Sequence, residues 1–188
     1  MRLRERDLVP EKKKKTGVKS IVFAALLALP SACGVRMIVH NYFLFPVSIS
    51  TDDMAPSLVK DQVVYVNRRL RSGDLKPGML VLIKNPADSD QQMVRRVVAL
   101  DEDTVQLQDR RLIRNGSPVM EAWETAAERE QKGLPLPGKL SHRDNTEIVQ
   151  LTKGFVYVLA DNRKEGMDSR NFGPIRLDSI VGEVIVRK

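Results

Sequence analysis

The sequence predicts a mainly β domain carried on one N-terminal membrane helix. Three observations predict it. Beyond about residue 45 the chain is a series of short, β-branched-rich runs; turn-forming residues stand between those runs; and a single uncharged stretch, Ile21 to Val35, follows a strongly basic start. With 188 residues, 42% of them hydrophobic and 29% charged, the chain has room for one folded domain and an anchor, and a composition able to fill a core.

Residues 1–20 read as a basic cytoplasmic tail. Arg2, Arg4, Arg6, Lys12, Lys13, Lys14, Lys15 and Lys19 stand against Glu5, Asp7 and Glu11, so most of the formal charge of +7 sits there. A basic flank beside an apolar run faces anionic lipid, whereas a nucleic-acid-binding domain carries its charge on the folded part. Membrane lipid is therefore an expected partner and nucleic acid is not.

Residues 21–39 read as a single transmembrane anchor. As a helix they extend ~28 Å at ~1.5 Å per residue, close to the hydrocarbon thickness. Pro30 kinks such a helix, and Arg36 and His40 belong at the far interface. With the lysines inside, the rest of the chain lies across the membrane. A second reading takes LPSAC as a lipoprotein signal cleaved before Cys33, with Pro30 fitting that pattern poorly; either way the domain is tethered outside. Cys33 is the only cysteine, so no internal disulfide and no Cys/His metal cluster is expected.

Residues 45–188 read as the exported β domain. Strands are expected at Val63 to Val66, Met79 to Ile83, Val94 to Leu100, Thr104 to Leu107, Arg111 to Arg114, Phe155 to Leu159 and Ile180 to Val186. Turns are expected at Ser72-Gly73-Asp74, Lys76-Pro77-Gly78, Asn85-Pro86, Asn115-Gly116 and Lys153-Gly154. Residues 117–146 read as an insertion: Met120 to Lys132 is rich in helix formers and ends before Gly133 and two prolines, which predicts a short helix and a loop, a solvated surface excursion in preference to a partner-binding element.

Three ordered blocks then carry a resemblance. Ile49-Ser50-Thr51-Asp52-Asp53-Met54-Ala55-Pro56-Ser57-Leu58 resembles Ser-x-Ser-Met-x-Pro-Thr/Ser-Leu. Met93 to Leu100, with Asp103 after it, resembles Lys-Arg-Val-x-Gly-x-Pro-Gly-Asp. Asp161-Asn162-Arg163 through Gly166, Asp168, Ser169 and Arg170 to Pro174 resembles Gly-Asp-Asn-Arg-x-x-Ser-x-Asp-Ser-Arg-x-Phe-Gly-Pro. These are blocks of the type I signal peptidases, the S26 family of membrane serine proteases with a Ser/Lys dyad. The resemblance covers about residues 20–188 and implies the signal-peptidase-type fold of antiparallel sheets. Arg111 to Gly116 also resembles the bacterial members' Val-Asn-Gly segment. That points to the plasma membrane, with the N-terminus cytoplasmic and the domain extracytoplasmic, rather than the mitochondrial inner membrane with the domain across it.

The chemistry of this family needs a hydroxyl nucleophile and an amine able to lose its proton. In register with the motifs, the nucleophile position is Asp53, the base position Arg95, and the supporting serine position Gly166. Arginine side chains stay protonated at any working pH, and a carboxylate cannot replay the serine mechanism. Catalysis by this route is expected to be lost, and Asp53 and Arg95 are expected to meet as a two-pronged ion pair. Thr51 holds the oxyanion-hole hydroxyl position. Asp52 and Asp53, adjacent on an extended strand, are expected to face opposite ways. Met54, Pro56, Arg96, Asp161, Asn162, Asp168, Ser169 and Arg170 are expected to line or brace the groove. Ser48, Ser50 and Ser57 lie outside the motif register, and His40 and His142 fall at the membrane end and in the inserted loop. No metal or cofactor is implied.

The resemblance extends to the signal-peptidase-like proteins of Gram-positive pilus loci, which also replace the serine by aspartate and lose the lysine. It implies an assembly factor or chaperone that holds an extended peptide segment of an exported protein, such as a pilin, by strand addition. Two alternatives are an active signal peptidase that cleaves signal peptides, and a structural subunit of a membrane complex.

Overall fold

The structure is a computed structural model in which residues 44–121, 144–164 and 166–186 are described. All of them belong to one compact unit, His40–Lys188. The expected anchor over 21–39, the basic tail and the expected helix within 120–132 lie outside the described residues, apart from Met120 at that helix's start and the adjacent Glu121. Among the described residues no helix is long and apolar enough to cross a membrane.

Among the described residues eleven strands follow in chain order: β1 Leu44–Ser48, β2 Val63–Asn67, β3 Leu80–Asn85, β4 Asp88–Ala99, β5 Thr104–Gln108, β6 Arg111–Arg114, β7 Ser117–Pro118, β8 Val149–Gln150, β9 Phe155–Leu159, β10 Ile175–Arg176 and β11 Ile180–Ile185. One short helix, α1 (Ser169–Phe172), lies between β9 and β10. A seven-stranded sheet runs β1-β2-β11-β3-β4-β9-β10, and a four-stranded sheet runs β7-β6-β5-β8. Every pairing is antiparallel.

All seven expected strands form. β3 sits mid-sheet and is buried on both faces, which is why its run is apolar without alternation. Leu80 and Leu82 face one core with Ile49, Met54, Leu58, Val94 and Ala160, while Val81 and Ile83 face another with Val97, Val156, Val158 and Ile175. The small sheet closes a third core, Val105, Leu107, Leu112 and Leu151 packing on Val98, Ala99, Tyr157 and Leu159.

The turns follow their chemistry. Asn115-Gly116 joins β6 to β7 with φ of 52° and 74°, the paired positive angles a two-residue hairpin demands. At Lys76-Pro77-Gly78, Gly78 has φ 97° and Met79 N donates to Lys76 O at 3.2 Å, as a type II turn requires.

Four strands and the helix are additions to the expectation. β1 contains Pro46, and it is tolerated because β1 is an edge strand. β4 begins six residues before the expected Val94, in a polar, exposed segment (DSDQQ) that β3 pairs across the Pro86-Ala87 turn. β7, β8 and β10 are two residues each, too short to show a pattern. The ends of the 117–146 segment are tied to the small sheet: β7 pairs with β6, Arg110 N donates to Asp144 O at 2.9 Å, and Thr146 N donates to Leu107 O at 3.0 Å.

Candidate functional site

Residues 49–62 leave β1, cover one face of the large sheet and return to β2. Ile49, Met54 and Leu58 are the buried anchors of this excursion. Leu58 N donates to Met54 O at 2.9 Å and Ala55 N to Asp52 O at 3.0 Å, so residues 51–57 form consecutive turns, and the Ala55-Pro56 peptide is cis. This corrects the expectation of an extended strand at Asp52 and Asp53. The two carboxylates still diverge, because the turn leaves Asp52 in solvent, accepting weakly from Lys60 N at 3.4 Å, and turns Asp53 inward.

Asp53 meets Arg95 of β4: Nη2 donates to Oδ2 at 2.8 Å. The pair is held by one prong, not two. The other guanidinium donors go to backbone, Nε to Met167 O at 2.6 Å and Nη1 to Val94 O at 2.5 Å. Arg95 is buried and the Asp53 side chain is about a quarter exposed, so the carboxylate keeps contact with water.

The two-pronged geometry falls one residue later. Arg96 donates from Nε to Asp161 Oδ1 at 2.8 Å and from Nη2 to Asp161 Oδ2 at 2.5 Å, with further bonds to Gly78 O at 2.6 Å and Ser57 Oγ at 3.0 Å. Sequence reasoning placed both residues in the groove framework but missed this pairing; 65 residues separate them, and no local pattern joins them.

From Asp161 the chain brackets the site. Asn162 N donates to Asp53 O at 2.9 Å and Asn162 Nδ2 to Asp52 O at 3.3 Å. Asp168 is fully buried and caps α1; it accepts from Ala160 N and Arg170 N, both at 3.0 Å, and takes a two-pronged contact from Arg170 Nε and Nη2 at 2.8 Å each. Ser169 Oγ accepts from Val158 N at 3.0 Å. These residues brace the loop against β9. Tyr157 lies beside them, and its burial, with the Asp168 carboxylate adding to it, pushes the phenol up from 10.0 to about 12. Arg163 adds a contact that sequence reasoning missed, an ion pair with buried Glu121 at the start of the 122–143 segment.

Gly166 packs under this loop. A Cβ built on it meets Ala160 Cβ at 2.2 Å, Asn162 O at 3.4 Å and Asp53 Cβ at 3.5 Å. No side chain fits there without movement, a constraint the sequence does not display.

A cavity of about 340 Å³ opens between residues 47–54 and residues 91–95 of β4. Thr51, Asp53, Arg95 and Met167 line it, with Ile49, Leu82 and Met93 as apolar wall. Thr51 and Asp53 thus share one wall, while Pro56 is exposed and does not line the cavity. Among the described residues no cluster of three potential metal ligands exists.

The site is thus a cavity in an antiparallel β framework, between the chain that leaves edge strand β1 and residues 91–95 of β4, with Arg95 and Asp53 paired in its wall. The sequence profile described as "Signal peptidase, peptidase S26" matches residues 16–187, and the chain belongs to that family. It is similar to signal peptidase I T of Bacillus subtilis (strain 168), 34% identical over 179 residues, covering 90% of this chain and 85% of that protein. It is also similar to signal peptidase IB of Staphylococcus aureus (strain COL), 28% identical over 175 residues, covering 90% and 91%. A crystal structure of a signal peptidase I from Enterococcus faecalis V583 aligns with 58% of this chain and 95% of its own at 22% identity and a TM-score of 0.48.

Proposed function

We propose that this protein is a membrane-anchored, extracytoplasmic, proteolytically inactive member of its family that holds an extended peptide segment of an exported partner and assists its assembly. One observation carries the reading: at the positions that match the family's nucleophile and base, Asp53 and Arg95 form an ion pair that offers neither a hydroxyl to attack a carbonyl nor a neutral amine to take its proton. Acyl transfer has no starting point there. The remaining equipment suits binding: a cavity about 340 Å³ in size, with apolar walls and strand backbone on two sides, matches the demands of strand addition, which uses main-chain hydrogen bonds and pockets for alternate side chains. A pilin is the partner class that the resemblance to pilus-locus proteins implies.

The test uses the purified full-length protein in detergent with a presecretory substrate and, separately, with a labelled export-signal peptide. The expected result is no cleavage together with saturable binding, and crosslinking of a native-membrane partner through residues 50–58. Cleavage beside small residues that disappears in Asp53→Ala overturns the reading in favour of an active peptidase.

A further inference from the structure

The outer side of β4 changes occupant along its length. β3 pairs with it from Asp88 to Arg96, but β9 pairs with it only from Arg96 to Ala99. Val97 exchanges backbone bonds with the β3 side, donating to Met79 O at 2.9 Å and accepting from Gly78 N at 2.7 Å. Because hydrogen-bonding direction alternates along a strand, Val94 turns its N–H and C=O the other way, to the side that β9 has already left. Among the described residues no strand pairs with β4 on that side before Arg96, and Val94, a buried residue, lines the cavity together with Gln92 and Met93.

A strand edge with no strand beside it is a template for any extended chain. Here the next residue's own side chain covers it. The Arg95 guanidinium puts Nη1 on Val94 O at 2.5 Å, reaches across to Met167 O with Nε at 2.6 Å, and touches Asp53 with Nη2 at 2.8 Å. One planar group thereby bridges the edge of β4, the facing loop and the turn after β1, the surroundings a strand laid in this groove would meet.

We propose that the Arg95 side chain stands in for a bound strand on this edge of β4, and that a peptide docks by exchanging its backbone N–H donors for this guanidinium. The proposal rests on the peptide-binding reading above and adds an autoinhibitory contact to it. The exchange is feasible because Asp53 is part-exposed, so a displaced guanidinium keeps its carboxylate partner at the mouth of the cavity while releasing both carbonyls. The ligand it selects is an extended backbone that presents donors to Val94 O and Met167 O. A folded surface, or a helix whose donors are already satisfied, does not compete.

The experiment measures fluorescence polarisation of a labelled peptide with an apolar core and an Ala-Xaa-Ala end, titrated with the full-length protein in micelles. Unsubstituted protein, Arg95→Met and Arg95→Lys are compared, and thermal unfolding confirms that each is folded. Methionine keeps an apolar stem and offers no donor, so Arg95→Met should bind about tenfold tighter, the equivalent of one charge-assisted bond no longer displaced. Arg95→Lys, whose ammonium cannot span both carbonyls and Asp53, should fall between; if Arg95→Met does not fold, this variant alone carries the comparison. If the unsubstituted protein binds and the folded variants bind no tighter, the stand-in role is overturned and the peptide-binding reading survives. If none of the three binds, both are overturned.

Discussion

Two consecutive arginines occupy the heart of this molecule and are used in opposite ways. Arg96 is locked: two prongs of its guanidinium meet the carboxylate of Asp161, a buried partner, and it also donates to Gly78 O and Ser57 Oγ. Arg95 is only lodged: it spends one bond on a half-buried carboxylate and two on carbonyls at the edge of a cavity. The first holds together parts that must stay assembled, the turn after β1, the 76–79 turn and the loop after β9. The second lies in the wall of the cavity. Charge and residue type do not distinguish them; the exposure of the partner does.

Substitution should separate the two. The largest effect is expected at Arg96. Arg96→Ala leaves Asp161 buried without its two-pronged partner, and breaking such a pair costs ~3–5 kcal/mol because a charge stays desolvated. Urea unfolding should show most of that loss in the midpoint. The double change Arg96→Met with Asp161→Leu should lose much less, since an apolar replacement of a buried pair is often nearly neutral. A loss below ~1 kcal/mol for Arg96→Ala would place Arg96 among surface pairs and erase the contrast.

Next in size is Gly166. A serine there brings its Cβ to 2.2 Å from that of Ala160, a residue with no exposed surface and no flexible end to swing aside. Overpacking of this kind costs ~1–3 kcal/mol. It also presses toward Asp53, whose Cβ lies 3.5 Å away. Ala160→Gly should return most of the loss in the double variant, and the coupling should appear as non-additivity in a cycle of unfolding free energies. In the motif that the 161–174 block resembles, glycine precedes the aspartate and serine stands six residues later; here Ala160 and Gly166 reverse which position carries a side chain. Restoring Asp53→Ser, Arg95→Lys and Gly166→Ser together is therefore expected to leave a strained protein with no turnover, and Ala160→Gly is the fourth change it needs. Peptide cleavage by the triple variant at the level of the quadruple one would overturn this coupling.

The sequence carried the fold well where pattern and burial coincide. β3 and β9 are largely buried apolar runs of strand length, and Asn115-Gly116 announces its hairpin. It was silent where tertiary pairing alone makes a strand: the polar start of β4 exists because β3 reaches it across a two-residue turn, and Pro46 hides an edge strand. The site was legible one residue at a time. Asp53 opposite Arg95 followed from motif register, but the number of bonds between them depends on where Val94 O and Met167 O lie, and neither distance is written in residue types. The clash at Gly166 is likewise a fact of two backbone segments brought together.

The smallest expected effect on stability is at Arg95 itself, and its smallness is the point. Removing the guanidinium frees a carboxylate that already touches water, so Asp53 is rehydrated instead of stranded, and two carbonyls at a cavity wall can take water in place of Nη1 and Nε. Arg95→Met should therefore change the unfolding free energy by only ~1 kcal/mol, within the range of partly exposed pairs. A loss as large as that of Arg96→Ala would mean that Arg95 is framework too, and an arginine that holds the fold together cannot also be the group that steps aside for a peptide.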